Sequence, residues 1–308
     1  MIINRTNLDT LFKAYNGAYR RGILDYEAMS EYGLVTTETT STTAAEVYPW
    51  LGQLPGMKEW VGERIVENLR QHDFTIRNKD WEQTVAVPRN AIEDDQYGVY
   101  SPFMSAMGTA AMKHYDELVW PLLKTGFSTL CYDGQNFFDA DHPALDKGGG
   151  PATRSNADYN VARVTDTVPD PSWFLLDLSQ MLKPVVLQIR KRPDNLIRFD
   201  REDDELVFMR KEFVYGVDCR DNVGFGLWQG SYGSNAALNP TNYEKARVTL
   251  LEMKGDYDRP LGIKPTHLVV PPSLEKAGLE ILNAERNSAG ATNVYRGTAE
   301  LHVARWLA

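Results

Sequence analysis

The sequence predicts a mixed α+β protein. Apolar residues recur at helical spacing in the first 25 residues and again between Ser101 and Gly126, whereas the chain from Trp173 to Trp228 is mostly β-like. Helices and strands do not alternate regularly, which argues against a doubly wound βαβ sheet. With 308 residues, 43% of them hydrophobic, the chain has enough apolar mass for a sizeable core in one large domain or two.

The N-terminal 50 residues combine a helix with a Thr-rich segment. The helical stripe consists of Leu8, Leu11, Phe12, Tyr15, Tyr19 and Ile23. The segment Thr36–Val47, "TTETTSTTAAEV", has almost no apolar anchor and cannot offset its own ordering entropy. We therefore expect an extended arm that lies across another surface, or a linker.

A β-hairpin is predicted over "DFTIRNKDWEQTVAV", Asp73–Val87. Apolar and polar residues alternate on both sides of the polar turn at Asn78, Lys79 and Asp80. Because an isolated two-stranded hairpin is marginally stable in water, this one is expected to need support from outside itself.

A long helix is predicted over residues 101–126. Pro102 suits the first helical position, and Gly126 can close the helix. Its predicted apolar stripe consists of Phe103, Met107, Ala110, Ala111, His114 and Leu118. A satisfied core or interface role is the favoured interpretation of His114.

Two helices and two strands are predicted after Trp228. The helices begin near Tyr243 and at Pro272–Ser273, and the strands are "THLVV" and the C-terminal "TAELHVARWLA".

Charge and cysteine content narrow the function class. The net charge of −9 argues against nucleic-acid binding, since phosphate binding needs a basic surface. Cys131 and Cys219 cannot form a disulfide framework, so a reducing cytoplasm with free thiols is expected. The N-terminus lacks the apolar stretch of a signal peptide, and no run of apolar residues is long enough for a membrane span.

The stretch "CYDGQNFFDADHP", Cys131–Pro143, invites a metal or acid–base interpretation because it holds three aspartates and a histidine. Phenylalanines stand where further ligands would be needed, so a loop that holds its own shape is favoured. The residues expected to build this structural loop are Asp133, Gly134, Phe137, Phe138, Asp141, His142 and Pro143. Asp133-Gly134 would form a turn, and the two phenylalanines would plug the loop into the core.

Motifs for catalysis are incomplete or missing. "QGSYGS" does not match a nucleophile elbow, and "GFGLWQG" has one residue too many for a dinucleotide loop. The acidic runs "IEDD" and "REDDE" are interpreted as solvated faces. No catalytic, cofactor-binding or metal-binding residues are therefore predicted, and no cofactor is expected.

Six stretches in a fixed order carry a family resemblance along nearly the whole chain. They are "WLGQLPGMKEWVGERIVENL", "FTIRNKDWEQTVAVPRNAIEDDQYGVY", "DELVWPLLKTGFSTLCYDGQNFFDADHP", "WFLLDLSQMLKPVVLQIRKRP", "DDELVFMRKEFVYGVDCRDNVGFGLWQ" and "RPLGIKPTHLVVPPSLEKAG". With these stretches the chain resembles the major head subunit of Mu-like tailed bacteriophages and prophages, the gpT type. The resemblance implies the HK97-like major capsid fold, with an extended N-arm, a projecting hairpin called the E-loop, a peripheral domain with a long spine helix, and an axial domain.

Mapped onto this chain, the resemblance implies four regions. They are an N-terminal arm at 1–50, an E-loop hairpin region at 60–95, a mainly peripheral domain at 96–230 with its spine helix at 101–126, and a mainly axial domain at 231–308. The residues predicted to contact neighbouring subunits are Thr36, Thr39, Val47, Arg77, Lys79, Asp80 and Glu82.

The implied function is that of a major head protein. Pentamers and hexamers of the chain would form an icosahedral shell around double-stranded DNA, with no sequence-specific DNA binding and no membrane. Scaffold and portal would be separate proteins, and the virion would be assembled in the host bacterial cytoplasm. Two alternatives stay open: a nanocompartment shell for protein cargo, and a metal-dependent enzyme that uses Asp133, Asp139, Asp141 and His142 of the Cys131–Pro143 loop.

Overall fold

The computed structural model describes residues 2–51, 71–94, 96–158, 171–201, 204–286 and 290–308. The α-helices in these ranges are α1 (Arg5–Glu27), α2 (Tyr32–Val35), α3 (Arg89–Glu93), α4 (Ser101–Lys124), α5 (Glu205–Arg210), α6 (Pro240–Leu251) and α7 (Glu275–Leu282). The strands are β1 (Thr36–Thr40), β2 (Ala45–Leu51), β3 (Gln71–Arg77), β4 (Lys79–Pro88), β5 (His142–Leu145), β6 (Pro151–Arg154), β7 (Ala157–Asp158), β8 (Trp173–Leu176), β9 (Val185–Lys191), β10 (Ile197–Phe199), β11 (Glu212–Phe225), β12 (Ser231–Ser234), β13 (His267–Val270) and β14 (Glu300–Val303). No helix among the described residues is long and apolar enough to cross a lipid bilayer.

The first large sheet is organised around β11, the longest described strand. On one side β11 pairs antiparallel with β10 and β9, and β9 in turn pairs parallel with β1. On the other side β11 pairs antiparallel with β4 over ten residues. The pairing of β11 with β9 shifts register between Arg220 and Asp221, which marks a bulge at this point.

The second sheet has the order β14-β13-β8-β12-β7. β8 lies between its antiparallel neighbours β12 and β13, and all four of its residues are buried in the larger apolar cluster, so both of its faces are covered. Its four apolar residues, "WFLL", therefore read as a continuous run without alternation.

Helices α1 and α4 cross at very short range. Gly22 of α1 faces the backbone of Ser105, and Gly108 of α4 faces the backbone of Tyr19; a Cβ at either glycine would collide with that backbone. The absence of a side chain at both positions lets the two backbones approach closely. Tyr15 and Tyr19 of α1 are completely buried in the resulting core.

The apolar core has two main parts. One lies between α1, α4 and the inner face of β4 and β11, and includes Met104, Phe213 and Tyr215. The larger one joins the C-terminal half of α4 to the second sheet and to α6 and α7, with Trp120 and Trp173 fully buried in it. Helix α4 therefore contributes to both parts and connects them.

The predicted hairpin over Asp73–Val87 is wrong in its pairing. β3 and β4 are strands, but β3 pairs with β2 and β4 pairs with β11. The single residue Asn78 separates them, so the chain passes from one sheet to another rather than turning back. The two-stranded ribbon is formed by β2 and β3. The predicted hairpin region at 60–95 begins outside the described residues.

The expectation that Thr36–Val47 lies as an extended arm on another surface also differs from the structure. Thr36 begins β1, which hydrogen-bonds to β9 of the same chain. The Thr-rich segment is stabilised by pairing with β9, which lies about 150 residues later in the sequence. The local composition of the segment does not reveal this partner. Thr36 is 5% exposed, and its hydroxyl donates to the carbonyl of Tyr32, so its side chain is unavailable to a neighbouring subunit.

Three further sequence expectations need adjustment. Phe103 is 59% exposed, and the buried stripe of α4 runs instead through Met104, Met107, Met112 and Tyr115. Residues 205–210, expected to be β-like, form the short helix α5. The predicted boundary at residue 230 does not coincide with sheet membership, because β8 lies in the same sheet as β13 and β14.

Candidate functional sites: the Cys131–Pro143 loop and the β2–β3 ribbon

The Cys131–Pro143 loop is closed by its own backbone. The N–H of Cys131 donates to the carbonyl of Gln135 at 2.7 Å, and the N–H of Gly134 donates to the carbonyl of Cys131 at 3.2 Å. Gly134 has a φ of +87°, which glycine adopts at no steric cost. The predicted turn at Asp133-Gly134 is therefore present.

Phe137 and Phe138 have no exposed surface. The ring of Phe137 stacks on Phe225 with centroids 4.2 Å apart, and the ring of Phe138 stacks on Phe174 at 5.2 Å. One phenylalanine thus contacts β11 and the other contacts β8, so that the loop joins the two large sheets, as the predicted core plug requires.

His142 is fully buried, and both of its ring nitrogens face oxygen acceptors. Nδ1 lies 2.8 Å from Oδ2 of Asp133, and Nε2 lies 3.1 Å from Oδ1 of Asn156. The amide of Asn156 cannot be turned round, because its Nδ2 donates to the carbonyl of Phe137 and its Oδ1 accepts from the N–H of Asp139. Both ring nitrogens of His142 therefore face oxygen acceptors that are themselves fixed in place.

The ring of His142 contacts Asp133 at its edge and Trp228 on its face. Burial alone would raise the pKa of Asp133, but hydrogen bonds from His142 and Cys131 outweigh it, and the pKa of Asp133 is lowered. The carboxylate also accepts the N–H of Gln135 at 3.1 Å. The ring of His142 stacks on the indole of Trp228 with centroids 3.8 Å apart.

The remaining polar residues of the loop do not join this network as metal ligands. Asp141 and Pro143 are exposed. A hydrogen bond with Asp139 raises the pKa of Asp141, so these two carboxyl groups interact with each other. Within the described ranges, the ligand atoms of Cys131, Asp133 and His142 converge, whereas Asp139 and Asp141 belong to no such group. The four-residue set of the enzyme alternative is not assembled.

Sequence reasoning missed Asn156 and Trp228. Asn156 lies at Nε2 of His142 and Trp228 stacks on its ring, yet they are 14 and 86 residues away from it in the chain. No local motif marks them. Two hints were available: Asn156 lies between two short strands, and Trp228 ends the long β-like stretch.

The β2–β3 ribbon is fixed to the first sheet at its base. The side chain of Asn78 donates to Oγ of Ser41 at 2.9 Å and accepts from Nε2 of Gln188 at 2.7 Å. Ile76 is 3% exposed and packs against Val186 of β9. Backbone N–H groups of Thr42 and Thr43 donate to the carboxylate of Glu46 and lower its pKa.

The residues predicted at the hairpin tip lie at the base of this ribbon instead. Arg77, Lys79, Asp80 and Glu82 are all exposed, at the end of β3 and the start of β4. Asp80 forms an ion pair with Arg220 of β11 at 3.1 Å.

The two other predicted contact residues lie near the start of the ribbon. The hydroxyl group of Thr39 is hydrogen-bonded to that of Tyr48 at 2.8 Å. Val47 of β2 is 53% exposed.

Comparison with known proteins decides the family. A family model described as "Mu-like prophage major head subunit gpT" matches residues 8–307. The chain belongs to the Mu-like gpT major head subunit family. Among relatives of this gpT chain, the Mu-like prophage FluMu major head subunit of Haemophilus influenzae is 42% identical over 277 residues, 89% of this chain and 88% of that protein. The major capsid protein of Escherichia phage Mu is 37% identical and covers 100% of both chains.

Solved structures agree with this assignment. A chain of the procapsid of bacteriophage JBD30 superposes on the gpT chain with a TM-score of 0.81 and 41% identity, over 99% of this chain and 100% of that one. A chain of the JBD30 capsid superposes with a TM-score of 0.76 and 34% sequence identity, over 91% of each chain. The predicted HK97-like α+β capsid fold is confirmed, and these relatives are structural head proteins rather than enzymes.

Proposed function

We propose that this gpT chain assembles, as pentamers and hexamers, into a closed icosahedral shell around double-stranded DNA. The observation that carries the proposal is the match to the JBD30 procapsid chain over 99% of this chain at 41% identity. At that identity and coverage the surfaces that meet in a shell have counterparts along almost the whole sequence. The virion is the proposed final location, with assembly in the host cytoplasm beside separate scaffold and portal proteins.

Exposed apolar side chains support an assembling subunit. On the first sheet, Ile197 and Phe199 of the edge strand β10 are about half exposed, and Phe208 and Met209 of α5 are 78% and 71% exposed. Helix α5 follows β10 in the chain and packs against β11, the strand that pairs with β10. Large apolar groups placed this close together mark an interaction surface, and a second copy of the chain would cover them.

The β2–β3 ribbon also supports the proposal. Among the described residues, it is a two-stranded sheet that is joined to the larger sheet at its base. We assign it the part of the E-loop, with the exposed residues Arg77, Lys79, Asp80 and Glu82 at its base as contacts between subunits, together with Val47. Many such contacts, each modest, stabilise a closed shell because later ones form within an existing particle.

The test is expression of the chain alone and beside its neighbouring head genes, followed by sedimentation, electron microscopy and nuclease digestion of purified particles. We expect closed shells of uniform size, and nuclease-resistant double-stranded DNA when the packaging genes are present. A chain that stays monomeric in every combination contradicts the proposal. Shells that hold protein and never DNA would support the nanocompartment alternative instead.

A further inference from the structure

A second group of potential metal ligands lies between helix α4 and strand β11. It consists of His114 on α4 and of Cys219 and Asp221 on β11, and their ligand atoms all lie within 4.8 Å of one another. Residues two apart on a strand point to the same face, so the thiol of Cys219 and the carboxylate of Asp221 both point toward α4. Nε2 of His114 lies 3.0 Å from Oδ1 of Asp221.

This group is not saturated by hydrogen bonds. Asp221 has no exposed surface, and its second oxygen, Oδ2, is buried without a hydrogen-bond partner. Leaving a buried carboxylate oxygen unpaired is unfavourable, because the loss of its hydration is not offset by a hydrogen bond. The hydroxyl group of Tyr115, the residue next to His114 on α4, is likewise buried without a partner.

The Cys131 group offers an internal comparison with the same three residue types. There Asp133 receives hydrogen bonds from His142, from the Cys131 thiol and from the N–H of Gln135, and His142 is satisfied at both nitrogens. A cation at that place would have to displace a complete hydrogen-bond network. Asp221 also interacts with the thiol of Cys219, but its Oδ2 has no hydrogen-bond partner and can coordinate a cation.

We propose that His114, Cys219 and Asp221 bind a borderline divalent cation of the Zn²⁺ class. One sulfur, one nitrogen and one or two carboxylate oxygens form a ligand set that suits zinc, and a water molecule can complete the coordination. Binding converts the Cys219 thiol to a thiolate and releases its proton to solvent. The proton of His114 that faces Oδ1 of Asp221 passes from Nε2 to Nδ1 by tautomer exchange, so that Nε2 presents its lone pair to the metal. The ion would tie the spine helix to β11 at the bulge between Arg220 and Asp221.

The test uses Co²⁺ as a spectroscopic probe on the chelator-washed full-length chain. We expect one Co²⁺ per chain, with a thiolate-to-cobalt charge-transfer band in the near ultraviolet that equimolar Zn²⁺ removes. Cys219→Ser should abolish the band, and His114→Gln should weaken Co²⁺ binding at least 10-fold. Cys131→Ser, which removes the thiol of the saturated group, is the matched control and should keep the band.

Circular dichroism of each variant separates loss of binding from loss of folding. Zn²⁺ should also raise the melting temperature of the wild-type chain, a readout that needs no variant. Wild-type protein without stoichiometric binding and without the charge-transfer band overturns the proposal. So does a band that survives in Cys219→Ser and disappears in Cys131→Ser.

Discussion

At the scale of single residues, the Cys131–Pro143 loop shows how composition that suggests catalysis can serve structure. His142 and Asp133 are hydrogen-bonded to each other, and His142 also contacts Asn156. The two phenylalanines of the loop pack against two different sheets. The Asp133 carboxylate is tolerated in this nearly buried position because both of its oxygens are hydrogen-bonded. The loop therefore acts as a junction between the spine helix and both sheets.

We expect Phe138→Ala to lower the free energy of unfolding by about 3 to 5 kcal/mol, because it removes a completely buried ring from between β8 and the loop. Urea denaturation of the unassembled subunit measures this. Phe138→Leu, which keeps most of the volume, should cost clearly less. Equal stability of the alanine variant and the wild type would show that the ring does not anchor the loop.

Asp133→Asn should destabilise the subunit by about 3 to 5 kcal/mol at pH 7, because it removes the carboxylate that His142, the Cys131 thiol and the N–H of Gln135 all contact. The pKa of Asp133 is lower in the folded state, so its contribution is complete above a pH of about 4 and is lost as the pH falls through the folded pKa. Urea titrations of both proteins at pH 7, 5, 4 and 3 should therefore converge only at the acid end. A constant difference across this series would contradict the ion pair.

At the scale of elements, the close crossing of α1 and α4 depends on two glycines that sequence analysis did not single out. Within the pattern of either helix, Gly22 and Gly108 are indistinguishable from tolerated glycines. Their role becomes visible only when the partner backbone is in place. Sequence periodicity predicted both helices well, but it carries no information about how near their axes lie.

Gly22→Ala should destabilise the subunit by about 1 to 3 kcal/mol, because the new methyl group must push the α4 backbone away. Gly17→Ala on the same helix is the matched control. Nothing lies within 4 Å of a Cβ at Gly17, so alanine there should raise stability by up to about 1 kcal/mol through helix propensity. Thermal denaturation of both variants compares them, and equal shifts in the same direction would refute the tight crossing.

The strands of this chain could be predicted from the sequence, but their pairing could not. The strands β3 and β4 were correctly predicted from their alternation, but their partners were not. Adjacent strands joined by a polar turn favour a hairpin, and here the single residue Asn78 leads to two different sheets. The spine helix was predicted nearly to its ends because its signals are local. The partners of Thr36 and of His142 depend on residues far away in sequence.

At the scale of the whole molecule, substitutions at the base of the ribbon can test assembly without changing the stability of the folded subunit. Asp80 is largely exposed and its ion pair with Arg220 is a surface pair, which contributes little to subunit stability. The double change Lys79→Glu with Asp80→Lys should therefore leave the urea midpoint nearly unchanged. It should reduce the yield of shells at least several-fold if this surface meets a neighbour.

Sedimentation of assembly mixtures at low and high salt measures this yield. The single change Glu117→Lys on the exposed side of α4 is a control for altered charge elsewhere, since the ion pair that Glu117 forms within the described residues is with the half-exposed Lys113. Shells formed by the double variant with wild-type yield and salt sensitivity would remove this surface from the proposed interface.

Because β1 pairs with β9, β1 cannot complete its pairing during synthesis until β9 has been translated. Thr36 aligns with Val185, so a strand made early must wait until about 150 further residues have left the ribosome. At typical rates of 5–20 residues per second, that delay is roughly 7 to 30 s. An apolar strand exposed for so long would invite association between nascent chains, whereas "TTETT" is polar and carries a charge. The threonine-rich composition thus suits a strand that reaches its partner only after most of the chain has been translated.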